Sequence, residues 1–405
     1  MTGLLSALLL VLAQTQEWPG WRGPKRDGTS TEAAFPVKWS ATENVLWKVP
    51  IPGKGHSSPI VWGDRVFLTT CIEPAGERKL LCLDRKDGRT LWEQTIVTVP
   101  LEGKHGLNSF ASSTPVTDGK HVWIAFQEGK TFSAYCYDVE GKLVWRVSPG
   151  EFHSKHGFCS SPLLYKDMVI FNGDQDAVAY IVALDRATGK ERWRADRPNK
   201  TRSYVPPVIF EAGGKTQLVL SGSLCVTSYD PDTGKLIWII DGPTEQFVAS
   251  MVCTEDVFFI SGGFPEFHVL GIRPDGQGNV TKTHILWRDK GQDICSYVPS
   301  PVAVGPHFFI ASDVGAATCF DAKTGKRLWK EKLSRHISAS PVAASGHLYF
   351  PDDAGTTYVL KAAGTFELVA KNELGEACYA SPALSRGRIY LRTAKSLFCI
   401  GEAGK

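Results

Sequence analysis

The fold is decided by the phrase LDRATGKERW at residues 184–193, which recurs along the chain with nearly constant spacing. Each copy has an apolar residue and Asp, a turn that ends in Gly, then Lys or Arg, and finally Trp. The other regular copies run from Leu83 to Trp92, Tyr137 to Trp145, Tyr229 to Trp238 and Phe320 to Trp329. Gly takes the positive φ of a tight hairpin, and Asp caps the free amides of the turn. The phrase therefore predicts two antiparallel strands, with Trp on the returning strand where its ring fills the gap to the neighbouring sheet.

Three less regular copies complete the set. A lengthened copy runs from Leu270 to Trp287, and a degenerate copy runs from Leu360 to Val369, which stands in the position of Trp. The segment VLWKV at residues 45–49 has the pattern of the returning strand alone. The predicted inter-sheet tryptophans are Trp47, Trp92, Trp145, Trp193, Trp238, Trp287 and Trp329.

A second phrase alternates with the first and consists of a small residue, Pro and a short apolar strand. Its copies begin at Ser58, Thr114, Ser161, Pro206, Ser300, Ser340 and Ser381, and Ser250-Met251 stands in the remaining slot. Pro cannot donate to a sheet ladder, so it belongs at the first residue of a strand. Each repeat thus consists of four short antiparallel strands, A to D.

The count of these strands predicts an all-β, eight-bladed β-propeller of four-stranded antiparallel blades. Eight A strands are present, but only seven D strands lie between Trp92 and Val369. The last repeat stops after its third strand, so the N-terminal strand around Trp47 is expected to complete the last blade and close the ring. We expect a signal peptide at residues 1–16, an N-terminal arm at 17–44 and the propeller at 45–401.

The bulk properties narrow the possible partners and compartments. The apolar run from Leu4 to Ala13 is too short to span a bilayer and has the length of the hydrophobic segment of a signal peptide. We therefore expect a periplasmic or secreted protein without a transmembrane span. The net charge of +3 without a long basic run argues against nucleic acid as a partner. We expect a monomer.

Ten cysteines do not form the pattern of a disulfide framework. Cys82, Cys136, Cys319 and Cys399 share one repeat position, where other repeats have Ala183 and Val359. These are the residues of a small buried site, which a free Cys can fill. Cys71 and Cys82 remain the one pair that a hairpin could bring together.

The alternation of Ser-Pro strands with Asp-x-x-Thr-Gly-Lys-x-x-Trp resembles the PQQ-like repeat family. That family includes quinoprotein alcohol dehydrogenases and the BamB-type propellers of outer-membrane assembly. The resemblance runs from Trp47 to Gly401, and the opening WPGWRGP at residues 18–24 is similar to a leader found in other members. It implies a scaffold and does not by itself imply an activity.

One function that the resemblance implies is a PQQ-dependent dehydrogenase that oxidises alcohols or sugars, with PQQ and calcium as cofactors. Quinone-binding members are similar to one another in having longer chains, two adjacent cysteines and a calcium held by Glu, Asn and Asp. This chain has no adjacent cysteines, and no acidic residue matches their catalytic Asp. We therefore expect no cofactor and keep the dehydrogenase as the alternative.

The other function is a non-catalytic binding or assembly scaffold whose ligand or protein partner binds around the central channel. The loops from strand D to the next strand A, with those from B to C, share one face of a propeller. The candidate ligand funnel on this face consists of His56, Lys104, His105, His156, Arg202, Tyr204, Tyr297, Arg335, His336, Tyr379 and Arg392. Cations and imidazoles there suit a small anionic or sugar-like ligand, and an envelope protein is the alternative partner. No metal site is expected, because the spacing of His153 and His156 lacks further ligands.

Overall fold

The computed structural model describes residues 16–199 and 201–402 and consists of eight antiparallel sheets. Seven blades take their four strands from consecutive chain segments, which are named A to D from the channel outward. The strands of blades 1 and 2 are Ile60–Trp62, Arg65–Ile72, Glu77–Asp84 and Thr90–Thr98, then Val116–Thr117, His121–Glu128, Thr131–Asp138 and Leu143–Glu151. Those of blades 3 and 4 are Leu163–Tyr165, Met168–Gly173, Tyr180–Asp185 and Glu191–Asp196, then Val208–Ala212, Lys215–Gly222, Cys225–Tyr229 and Leu236–Asp241.

The strands of blades 5 and 6 are Val252–Thr254, Val257–Gly262, His268–Ile272 and Ile285–Lys290, then Val302–Val304, His307–Ala311, Ala316–Asp321 and Arg327–Lys332. Those of blade 7 are Val342–Ala344, His347–Pro351, Thr356–Lys361 and Leu368–Glu373. A 3-10 turn at Glu73–Ala75 is the one helical element among the described residues. The predicted eight-bladed propeller is confirmed.

Blade 8 joins the two ends of the chain. Its strands A to C are Ala383–Ser385, Arg388–Arg392 and Ser396–Ile400, and its strand D is the N-terminal Val45–Pro50. Trp47 pairs with Cys399, and Lys48 pairs with Phe398. The closure predicted around Trp47 is therefore present. The predicted signal peptide lies, except for Gln16, outside the described residues.

The repeat tryptophans hydrogen-bond six of the eight blades to the next one. In five blades the indole N–H donates to the backbone carbonyl of the residue after the repeat Asp in the following blade, at 2.9 to 3.1 Å. These pairs are Trp47 with Arg85, Trp92 with Val139, Trp145 with Arg186, Trp193 with Pro231 and Trp287 with Ala322. Trp329 makes the same kind of bond to Ala363 at 3.0 Å. The Asp-to-Trp phrase thus provides both the donor and the acceptor of a hydrogen bond between neighbouring blades.

The hairpin glycine of the following blade provides the surface on which the Trp ring packs. A Cβ on Gly189 would lie 2.9 Å from the ring of Trp145, and the residue has a φ of +72°. The repeat Asp performs the predicted cap, since Asp185 Oδ1 accepts the amide of Thr188 at 2.9 Å. Gly is therefore needed both for the turn and for the contact with the ring.

Replacing Gly189 by alanine is expected to lower the free energy of unfolding by more than the roughly 1 kcal/mol that positive φ alone costs. Gly129 is the matched control, because it has a φ of +61° and nothing within 4 Å of its added Cβ. Urea unfolding of both variants measures the difference. Equal losses would show that the ring of Trp145 does not press on this turn.

Two blades depart from the docking rule for local reasons. Trp238 donates instead to Gln217 Oε1 at 2.7 Å, and the lengthened turn of blade 5 adds Gly278–Asn279 as a parallel strand beside strand D of blade 4. Blade 7 has Val369 in place of Trp, because blade 8 has no hairpin between strands C and D on which a Trp could dock. Trp39 of the arm packs there instead, and its amide donates to Asn372 Oδ1 at 2.9 Å.

All ten cysteines are free. Cys82, Cys136, Cys319 and Cys399 are fully buried, as their shared repeat position predicts. Cys71 and Cys82 do not meet across their hairpin, since Cys71 lies opposite Arg78 and Cys82 lies opposite Phe67. No helix in residues 16–199 and 201–402 has the length and hydropathy of a membrane span.

Candidate functional site

The small residues that begin the A strands form a ring of hydrogen bonds around the channel. We call Ser58, Thr114, Ser161, Pro206, Ser250, Ser300, Ser340 and Ser381 the serine ring. In six places the amide of one member donates to the hydroxyl of the next, at 2.8 to 3.0 Å. The chain of bonds stops at Pro206, which has neither an amide hydrogen nor a hydroxyl. The Ser of the Ser-Pro phrase thus joins neighbouring blades at the axis, as Trp does farther out.

A cavity of about 920 Å³, including the part open to solvent, lies over this ring. We call it the funnel. Its second tier is the residue two positions before each serine-ring member, and all eight such residues line it. This minus-two ring consists of His56, Ser112, Cys159, Tyr204, Val248, Val298, Ser338 and Tyr379. The remaining lining residues outside the two rings are Trp21, His105, Leu107, Asn108, His156 and Tyr297.

Six of the eleven residues predicted for the funnel line it, and all six carry rings. They are His56, His105, His156, Tyr204, Tyr297 and Tyr379. The rings of His56 and Tyr379 are 4.9 Å apart, and those of His105 and His156 are 5.1 Å apart. His156 also stacks on Tyr204, with an angle of 21° between the ring planes. These rings form two clusters on the wall.

The other five predicted residues lie outside the lining. Arg202 pairs with Asp176, and Lys104 lies over the ring of Phe110 at 5.2 Å. His336 Nδ1 is 2.7 Å from Asp353 Oδ2, and Arg335 is exposed.

Arg392, the fifth of these residues, is buried behind His56. Its guanidinium donates to the carbonyl oxygens of Thr69 at 2.6 Å and Ser57 at 3.2 Å. It therefore joins blade 8 to blade 1, and burial lowers its pKa to about 9.

The opening motif WPGWRGP builds the floor of the funnel. Trp18 packs on Gly23, where a Cβ would lie 2.6 Å from the indole ring. Arg22 is buried and donates to the carbonyl oxygens of Asp27 at 2.6 Å and Pro341 at 2.8 Å. Trp21, held between these two anchors, lines the funnel from below. The arm thus closes the channel opposite the open mouth.

Carboxylates of the B-to-C loops hold the wall in place and do not line it. Asp313 accepts the amides of Tyr297 at 2.6 Å and Val298 at 3.1 Å. Asp353 accepts the amide of Ser338 at 2.7 Å. Burial raises the pKa of Asp313 to about 6 despite these bonds. The negative groups are therefore engaged behind the lining.

The funnel disfavours positive charge on two of its imidazoles, those of His56 and His156. Burial, with Arg392 and Lys104 nearby, lowers the pKa of His56 to about 4. Burial and the neighbouring Arg202 lower the pKa of His156. Burial also raises the pKa of the Cys159 thiol to about 12. These three side chains are uncharged at neutral pH.

The depressed pKa of His56 predicts a measurable pH dependence. Between pH 7 and pH 5 the unfolded chain takes up a proton at position 56 while the folded chain does not, so stability falls as the pH falls. We expect the wild-type protein to lose about 1–2 kcal/mol more of its unfolding free energy than His56→Gln over this range. The raised pKa of Asp313 has the opposite effect, because its protonation stabilises the folded protein as the pH falls. This effect is the same in the wild-type protein and in His56→Gln. Identical losses in urea unfolding at the two pH values would contradict a buried, neutral His56.

The lining contains residues that were not predicted. Ser112, Cys159, Val248, Val298 and Ser338 belong to the minus-two ring, and Trp21 forms the floor. A search for charged and aromatic loop residues passes over small ones, but the fixed offset from each Ser-Pro phrase would have identified all five. The described residues bring together no group of His, Cys, Asp or Glu that could hold a metal ion.

Comparison with solved structures shows the same fold at low sequence identity. BamB from Moraxella catarrhalis has 13% identity and a TM-score of 0.64 over 89% of this chain and 98% of that chain. A europium-containing methanol dehydrogenase has 12% identity and a TM-score of 0.70 over 98% and 100%. The quinohemoprotein alcohol dehydrogenase ADHIIG from Pseudomonas putida has 11% identity and a TM-score of 0.70 over 98% and 82%. At these identities the likeness concerns the fold alone.

Two comparisons of the sequence itself identify a relative and a family. The tetrathionate hydrolase of Acidithiobacillus ferrooxidans is 26% identical over 160 residues, which cover 36% of this chain and only 30% of that protein. The family model described as outer membrane protein assembly factor BamB matches residues 31–132, 77–262, 280–366 and 315–400. Because these matches cover most of the chain and the eight blades carry the repeat in register, the chain belongs to the PQQ-like propeller family.

Proposed function

We propose that this chain is a non-catalytic binding propeller that holds a small ligand in the funnel. The observation that carries the proposal is the minus-two ring, in which equivalent positions of all eight blades converge on one cavity closed below by Trp21. A concave site in which aromatic rings and polar side chains converge is the usual form of a ligand pocket. With the signal-peptide-like run at its N-terminus, the protein would act in the periplasm or outside the cell.

The side chains of the funnel favour binding over covalent catalysis. A nucleophile needs a base within hydrogen-bonding distance. The Ser338 hydroxyl donates to Asp353 Oδ2 at 3.0 Å, and His336 Nδ1 is 2.7 Å from the same oxygen. The raised pKa of Cys159 keeps that thiol protonated. His336 Nδ1 is also 3.5 Å from the Ser338 hydroxyl, but both groups contact the Asp353 carboxylate, which is already held by the Ser338 amide. No other hydroxyl or thiol of the described lining hydrogen-bonds to a histidine side chain.

The lining also does not fit a calcium-held quinone. Calcium requires six to eight oxygen ligands, which normally include carboxylates. The lining residues in the described part of the chain supply hydroxyls, imidazoles and one amide, but no carboxylate. The sequence has no adjacent cysteines. We therefore derive no reaction step through a quinone.

Reconstitution tests the non-catalytic role. The purified protein is incubated with PQQ and calcium chloride, and quinone absorbance, thermal stability and dye-linked oxidation of alcohols and sugars are measured. Tetrathionate consumption is assayed in parallel, given the partial match above. We expect no turnover and no calcium-dependent rise in the melting temperature. Turnover with any of these substrates would overturn the proposal.

A protein partner on the same face is the second candidate. Four apolar side chains are exposed in loops of this face, namely Leu107, Val178, Leu224 and Phe264. These four lie in loops of neighbouring blades, and an exposed apolar patch is typical of an interaction site. A photo-crosslinking residue at Val178 or Phe264 should give one discrete product in cells if an envelope protein docks there. Lys323, in an exposed hairpin on the opposite face, is the control, and the same product from it would contradict docking.

A further inference from the structure

We infer that the ligand of the funnel is a neutral carbohydrate. This inference rests on the proposed function and names the chemical class that the binding site would take. Four features of the site support it: an uncharged lining, cations that are engaged elsewhere, hydroxyl protons without acceptors, and ring walls.

The uncharged lining is the first feature. None of the lining residues in the described chain is Asp, Glu, Lys or Arg. Two of the lining histidines resist protonation, since burial lowers the pKa of both His56 and His156. An ion that enters such a site loses its hydration without gaining an ion pair, which is unfavourable. A neutral polar ligand does not incur this cost.

Four cations near the funnel already have partners, which is the second feature. Arg202 pairs with Asp176, Arg392 donates to the carbonyls of Ser57 and Thr69, and Arg22 donates to carbonyls of the arm and of blade 7. Lys104 lies over Phe110. An anion could therefore pair with any of these four cations only after an existing contact had been broken.

The serine ring supplies the third feature. The hydroxyls of Ser58, Thr114, Ser161, Ser340 and Ser381 each accept a neighbouring amide. None of these five hydroxyls donates to another described group. Five O–H donors at the base of the funnel are thus available to a ligand rich in oxygen acceptors. The hydroxyl and ring oxygens of a sugar are such acceptors.

The ring walls are the fourth feature. Trp21 forms the floor, and Tyr204, Tyr297 and Tyr379 stand around it. Aromatic faces carry partial negative charge and attract the weakly positive C–H groups on the flat faces of a sugar ring. Tyr204 is 6% exposed and contributes its ring to the wall.

Calorimetric titration of the full chain tests the inference. The probes are glucose and cellobiose on one side and glucuronate and sulfate on the other, because glucuronate differs from glucose by one carboxylate. We expect a neutral sugar to bind and both anions to bind at least tenfold more weakly. Tyr379→Ala, at a partly exposed wall position, should weaken sugar binding at least tenfold. Tyr165→Ala, at the A-to-B turn of blade 3 away from the funnel, is the control and should leave it unchanged.

The outcomes separate this inference from the proposed function. Binding of glucuronate or sulfate in preference to the sugars, lost in Tyr379→Ala, would overturn the carbohydrate assignment and leave the funnel as a ligand site. Sugar binding that Tyr379→Ala does not weaken would place the ligand elsewhere and overturn both. No heat with any of the four probes would overturn the carbohydrate assignment, and turnover in the reconstitution test would overturn the non-catalytic role.

Discussion

Trp145→Ala should lower the free energy of unfolding by about 3–5 kcal/mol, which is the usual cost of emptying a buried aromatic site. Trp145 is 8% exposed, packs on the hairpin glycine of blade 3 and donates to the Arg186 carbonyl at 3.0 Å. Its removal leaves a cavity between two blades, although the Arg186 carbonyl still accepts the Trp123 indole N–H at 3.1 Å. Urea unfolding followed by circular dichroism measures the loss.

The neighbouring Val144 provides the control for this prediction. Its side chain is 45% exposed, so Val144→Ala should change stability by less than about 0.5 kcal/mol. A loss below about 1 kcal/mol for Trp145→Ala would show that the repeat Trp does not hold the blades together.

Asp174→Ala should have an effect of similar size, about 3–5 kcal/mol, because it leaves a buried charge without its partner. Asp174 and Arg197 have fully buried side chains, and their closest contact is 2.8 Å. Arg197 also donates to the Gly222 carbonyl and the Tyr229 hydroxyl of blade 4, at 3.1 Å each. The pair therefore joins blades 3 and 4, and the melting temperature should fall accordingly.

An exposed ion pair is the comparison for Asp174. Asp232 binds Lys166 at 2.7 Å, but both side chains are at least half exposed. Asp232→Ala should cost no more than about 1 kcal/mol. If the two variants lost the same amount, the Asp174–Arg197 pair would not bear on the packing of the blades.

The fold could be predicted because its main interactions are local and repeated. The hairpin of residues 185–193 contains its own cap, turn and docking Trp, so one copy is sufficient to recognise a blade. Even the exception at Val369 follows, because a blade completed by the N-terminal strand has no hairpin on which a Trp could dock. The altered partner of Trp238 could not be predicted, because it depends on an inserted turn whose path the pattern does not specify.

The candidate site could be predicted only in part. The six lining residues that were identified carry rings and stand near the Ser-Pro phrases, where loop position was sufficient. Lys104, Arg202 and Arg392 were included for their charge, but neighbouring aromatic rings, carboxylates and carbonyls engage them outside the lining. Long side chains can turn either way from a loop, and only their partners in space decide the direction. Trp21 was missed because nothing in the repeat places the arm under the channel.

The funnel exists only in a closed ring, so its structure and its proposed function both require that the N-terminal strand completes blade 8. Pro50 lies opposite Ser396 on the paired strands of blade 8. Opposite residues on antiparallel strands are close enough for a disulfide. Under mild oxidation, the double variant Pro50→Cys and Ser396→Cys should yield a disulfide-linked pair of tryptic peptides in mass spectrometry, and neither single variant should. Two free thiols at positions 50 and 396 in the folded double variant would contradict closure.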